Sequence, residues 1–178
     1  MSKRLTKILL VAVLSGLSLL MGLVVDKEGS SAAIAADVVR VIDGDSIVVS
    51  MSGQAEEIRL IGIDAPEMGQ RPWGRKAREH LKEILLRSSY RVSVAYDVEK
   101  RDKYGRLLAY IRTADGGLAN AEMLKGGDAV LFTVPPNIRH LRVFREAQEY
   151  ARKRRLGIWG KWGLREAPNH YRRQHPRR

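Results

Sequence analysis

The chain has 178 residues, with 32 Lys and Arg against 20 Asp and Glu and no cysteine, so its formal charge is +12. A chain that is 44% apolar and 29% charged can build one ordinary core, which excludes disordered, collagenous, disulfide-scaffold and cysteine-zinc classes. The basic excess points to a polyanionic partner: nucleic acid, an anionic membrane or a cell-wall polymer.

The chain opens with the basic Ser2-Lys3-Arg4-Leu5-Thr6-Lys7, continues uncharged and mostly aliphatic from Ile8 to Val25, and then turns polar. Residues 1–36 are therefore expected to be an export signal, with Ala33-Ile34-Ala35 as an A-x-A cleavage pattern, or a retained N-terminal membrane anchor. Either reading puts the domain outside the cytoplasm, secreted or in the cell envelope. Val38 to Ile42 and Ser46 to Ser50 are β-branched runs separated by Asp43-Gly44-Asp45, which predicts an antiparallel hairpin. Glu57 to Ile63 alternates as a third strand, stopped by Asp64-Ala65-Pro66-Glu67, because a proline cannot donate to a ladder. Trp73 to Arg87 has Trp73, Ala77, Leu81, Ile84 and Leu85 on one helical face. Tyr90 to Tyr96 and Leu107 to Ile111 read as strands four and five. Leu118 to Lys125 reads as a short helix ended by Gly126-Gly127, and Asn137 to Arg155 as a longer one with Ile138, Leu141, Phe144, Ala147 and Ala151 turned inward. Trp73 and Trp159 are expected as core anchors. Residues 161–178 carry Lys161, Arg165, Arg172, Arg173, Arg177 and Arg178 against Glu166, without an apolar stripe, and are expected to be a mobile basic tail that could meet an anionic surface. The pattern predicts an α+β, mainly β domain over residues 37–160, a five-stranded OB-like barrel with helical additions.

Carboxylates and arginines concentrate at three strand ends: Asp43-Gly44-Asp45, Arg59 to Glu67, and Asp102-Lys103-Tyr104-Gly105-Arg106. Each alone is what an ordinary turn demands. Their order differs from chance: V-x-x-V-x-D-G-D-S, I-R-L-I-G-I-D-A-P-E, D-K-Y-G-R-L-L-A-Y and L-G-I-W-G resemble the staphylococcal nuclease (thermonuclease) family from about Asp37 to Gly160. That resemblance implies a five-stranded OB-fold barrel with about three α-helices, acting as a calcium-dependent nuclease on DNA and RNA and leaving 3′-phosphate ends; the protein is expected to be a monomer.

Carried onto this sequence, the resemblance makes Asp45, Asp64 and the backbone carbonyl of Ala65 the calcium ligands, with Asp43 behind them. Oxygen donors suit this hard cation, and so few of them imply that substrate phosphate completes the shell. Arg59, Glu67 and Arg106 match the catalytic group: Glu67 the carboxylate at the attacking water, the two guanidiniums the donors to the phosphate oxygens. Lys103 and Tyr104 match positions that contact a bound nucleotide's terminal phosphate. Two features depart from the family pattern. Ala65 stands where a threonine is usual, and the tyrosine pair expected to flank a base has no clear counterpart around Leu131-Phe132-Thr133-Val134-Pro135, where Phe132 is expected in the core.

Overall fold

The computed structural model describes residues 33–176. Most of the segment read as a signal or anchor therefore lies outside the described residues; among those described, no helix is long and apolar enough to cross a membrane.

Strands β1 (Ile34–Val41), β2 (Ser46–Met51), β3 (Gln54–Leu60), β5 (Arg91–Ala95) and β6 (Leu107–Thr113) close into a barrel in the order β1-β2-β3-β6-β5. The neighbours are antiparallel except β3 and β6, which run parallel with Ile58 opposite Leu107 and Leu60 opposite Ala109. Parallel neighbours cannot be joined by a tight turn. Helix α1 (Trp73–Leu86) and β5 fill the connection. Closure removes free sheet edges, and alternate side chains such as Ile47, Val49, Ile58, Leu60, Val94 and Ile111 fill the interior.

The hairpin read from Asp43-Gly44-Asp45 is present, with Ser46 opposite Arg59 on the next strand. Gly44 is there for space rather than for a left-handed backbone: a Cβ would lie 2.6 Å from the Ala77 Cβ and 2.7 Å from the Ala65 Cβ. The turn thus packs directly beneath α1. The third strand is shorter than the alternation suggested. It stops at Leu60, and Gly62, at φ +82°, turns the chain under the Phe144 ring into the two-residue β4 (Ile63–Asp64). β4 pairs with β7 (Val130–Leu131), a partnership too short to carry a sequence signal.

Helices α2 (Ala119–Gly126), capped by left-handed Gly127, and α3 (Leu141–Arg154) pack against the barrel and each other. Asn120, fully buried on α2, accepts from the Ile111 amide at 3.0 Å and donates to the Ile61 carbonyl at 2.9 Å, tying the helix to β6 and to the residue just past the end of β3.

Several sequence expectations are corrected. β1 begins at Ile34, with Ile34, Ala35 and Ala36 paired to Val94, Ser93 and Val92, so Ile34 and Ala35 of the A-x-A pattern lie in a barrel strand. α3 starts at Leu141, because Asn137 is engaged by Glu99 on both its backbone groups and Ile138 is exposed. Trp73 and Trp159 are only partly buried, covered by Lys76 and Arg152, while Ile158 fills the core from the 3₁₀ turn Gly157–Trp159. The tail read as mobile carries a fourth helix, α4 (Pro168–Gln174), started by Pro168 at its first turn and docked on the domain through that buried proline.

Candidate active site

The β1–β2 turn, the end of β3, β4 and the loop after it converge at one end of the barrel. Asp43 folds back on the turn through the Asp45 amide at 3.1 Å, fixing the backbone that carries Asp45. Asp45 accepts from the Ser46 hydroxyl at 3.1 Å through one oxygen and from the Ala65 amide at 2.6 Å through the other. The Ala65 side of β4 is thereby bound to the hairpin. Arg59 reaches from β3 between the acids, its Nη2 3.1 Å from Asp45 Oδ2 and 3.0 Å from Asp64 Oδ1. Glu67 is oriented by its own amide, which donates to Gln70 Oε1 at 2.9 Å.

This is a dense buried acid cluster: Asp43, Asp45 and Asp64 are all buried, Asp64 to 1% exposure. Loss of hydration raises the Asp45 carboxyl to about 7. Arg59 opposes the rise, Asp43 adds to it, the Ala65 amide opposes it and Asp64 adds to it. Asp64 Oδ2 is buried with no hydrogen-bond partner among the described residues. An orphaned carboxylate oxygen beside a second desolvated carboxylate is a donor set that fits a hard cation. No group of three or more His, Asp or Glu side chains forms a metal cage among the described residues, so the protein itself offers few ligands.

Arg106 arrives separately. The loop before β6 is closed by Asp102, which accepts from the Arg106 amide at 3.0 Å and from its Nε at 2.8 Å, so the guanidinium is held at its base. Asp43, Asp45, Arg59, Glu67, Tyr104 and Arg106 line one cavity of about 550 Å³. A second cavity of about 530 Å³ shares Arg59, Tyr104 and Arg106 and adds Lys103 and Phe132. The structure thus brings Asp45, Arg59, Glu67 and Arg106 to one space, with Asp64 and Ala65 behind it and Lys103 and Tyr104 at its rim. Tyr104 is exposed, with Lys103 and Arg106 over its ring at 5.0 and 5.6 Å. Phe132, expected in the core, is 39% exposed and forms part of the second cavity's wall.

Two site residues escaped the sequence reading. Arg172 on α4 donates through Nε to Glu67 Oε1 at 2.6 Å and through Nη2 to Asp64 Oδ1 at 2.7 Å. Partial burial works against its charge, but the two carboxylates outweigh that and hold the guanidinium charged. Gln70, buried, bonds Glu67 on one side and donates to the Glu166 carbonyl at 2.9 Å on the other. The proline that starts α4 was the available signal for a helix there; nothing in the sequence marks Gln70.

A family model described as "Staphylococcal nuclease homologue" matches residues 57–161. The thermonuclease of Staphylococcus intermedius is 40% identical over 125 residues, covering 67% of this chain and 73% of that protein. The thermonuclease of Staphylococcus hyicus is 34% identical over 127 residues, covering 68% and 73%. Endonuclease YncB of Bacillus subtilis is 35% identical over 131 residues, covering 70% and 61%. With a closed five-stranded barrel, and with acids and arginines gathered at one end of it, the chain belongs to the staphylococcal nuclease family and is a hydrolase that acts as a nuclease.

Proposed function

We propose that the chain is an exported, calcium-dependent nuclease that hydrolyses phosphodiester bonds in DNA and RNA and leaves 3′-phosphate ends. The observation that carries this reading is the convergence of Asp45, Arg59, Glu67 and Arg106 on one cavity. Asp45, Asp64 and the Ala65 carbonyl would hold the cation, which when bound supplies positive charge to a phosphate oxygen. Glu67 orients a water and takes its proton as the water oxygen bonds to phosphorus. Arg59 and Arg106 donate to the equatorial oxygens, where charge accumulates in the five-coordinate transition state. The P–O5′ bond then breaks, leaving the phosphate on the 3′ side and a 5′-hydroxyl once the leaving oxygen gains a proton. Guanidiniums suit this because their planar fork donates in two directions and does not deprotonate. Lys103 and Tyr104 would meet the substrate's further phosphate at the cavity rim.

The test incubates the full chain with single-stranded DNA and with RNA, in calcium and then in chelator, beside Glu67→Gln. Calcium-dependent fragments ending in 3′-phosphate are expected, with kcat of Glu67→Gln lower by a factor on the order of 10²–10⁴, the range for loss of a general base. Binding without cleavage under any divalent ion would overturn the reading and leave a nucleic-acid-binding barrel.

A further inference from the structure

Helix α4 lies outside the span of the sequence resemblance, yet it delivers a second guanidinium, beside that of Arg59, to the acid cluster. We infer that Arg172 is a positioning residue for the hydrolysis, acting through Glu67, so that the C-terminal segment is a working part of the active site. The inference rests on the proposed role of Glu67 and names what holds that carboxylate in place.

A carboxylate on a flexible side chain directs a water only if its rotation is fixed, and a bond to one oxygen sets the direction of the other. The Nε donor of Arg172 makes that bond to Glu67 at 2.6 Å, while Nη2 of the same plane is anchored on buried Asp64 at 2.7 Å. One rigid fork therefore spans two acids that sit on different segments, β4 and the loop after it. A lysine, with a single point charge, could not hold both in one geometry. The anchoring is built from two directions. Gln70 bridges the Glu67 amide and the Glu166 carbonyl, tying the Glu67 loop to the chain just ahead of α4. Tyr171 places its hydroxyl against Gly69, so closely that a methyl group there would overlap it. Arg172 also supplies countercharge: without it, Arg59 is the guanidinium within 3.1 Å of Asp45 and Asp64. Its side chain remains 41% exposed and lines both cavities, so it reaches solvent where substrate must pass.

The experiment uses the full chain as wild type, Arg172→Ala, Arg172→Lys, Glu67→Gln and the double variant Arg172→Ala/Glu67→Gln. Three readouts are taken: steady-state cleavage of single-stranded DNA, calcium titration calorimetry on protein alone, and amide hydrogen exchange of the Glu67 loop. Arg172→Ala is expected to lower kcat by about 10- to 100-fold, the usual cost of losing a partner that orients a working group. KM should stay within about twofold, and Arg172→Lys should recover part of the rate, since it restores one of the two bonds. In the Glu67→Gln background the alanine should cost nothing further, because both changes disable one unit. Exchange of the Glu67 amide should speed up in Arg172→Ala. Three kinetic outcomes overturn the inference: an equal loss in both backgrounds, a raised KM at unchanged kcat, or faster turnover with tighter calcium binding, which would mark Arg172 as a blocking group. If the alanine variant does not fold, the lysine variant carries the test, and wild-type rate and exchange in it count against the inference. A wild type that cleaves nothing would dismiss the nuclease reading, while unchanged Glu67 exchange in Arg172→Ala would dismiss this one on its own.

Discussion

Asn120 shows how a single buried side chain can hold the scaffold of the site. Its amide satisfies the Ile111 amide and the Ile61 carbonyl, groups that leave the ladder where β3 turns toward β4. Asn120→Ala would strand both in the interior, so a loss of about 2–4 kcal/mol is expected, read as a lower midpoint in urea unfolding at unchanged slope. The residues of the site differ in how far the sequence revealed them. Asp45, Arg59, Asp64 and Glu67 lie within one short stretch, at strand ends recognisable from alternation and turn residues, so their proximity follows from two hairpin-like reversals. Arg172 was invisible for a physical reason. α4 docks through a buried proline, the segment just ahead of it through a backbone carbonyl, and α4 again through a tyrosine against a glycine, so it has no need of a 3.6-residue apolar stripe.

Among the elements, the barrel strands were the most legible, because half-buried strands must alternate. Their ends were the least. β3 stops at Leu60 because Gly62 must pass beneath Phe144, a constraint set by a helix far along the chain. β1 starts early because Ile34, Ala35 and Ala36 complete the ladder with β5, where a run of small residues reads equally well as a cleavage site. This makes a prediction about where the domain begins. A protein starting at Asp37 loses those three pairs and should melt lower than one starting at Ala33 by about 5 °C or more in calorimetry. Equal melting temperatures would show that the first turn of β1 contributes nothing to closure.

Over the whole molecule, the charge of +12 overstates the surface offered to a polyanion. On α3, Arg142 pairs with Glu146 and Lys153 with Glu149, while Arg154 lies over the Tyr150 ring and Arg152 over Trp159. Of the cations lining the cavities, Arg101 is paired with Glu56 and Arg172 with Glu67 and Asp64, which leaves Arg59, Lys103 and Arg106 as those proposed to meet phosphates. With about 0.7 ions released per phosphate on single strands, three contacts give a log–log salt slope of about −2. Binding of single-stranded DNA to Glu67→Gln should then weaken by about 20-fold between 50 and 200 mM salt; a much steeper fall would extend the footprint onto α3. The parallel seam between β3 and β6 has a further consequence, for how the site is put together. The hairpins carrying Asp45 and Arg59 can form from a short length of chain, but Asp64 sits on β4, whose partner β7 lies far along the sequence, Arg106 joins them when β6 docks alongside β3, and Arg172 with α4. The site is therefore assembled from pairings that span much of the chain, not from one local stretch. On the proposed roles of these residues, cleavage would need the closed barrel and α4 together, not the hairpins alone.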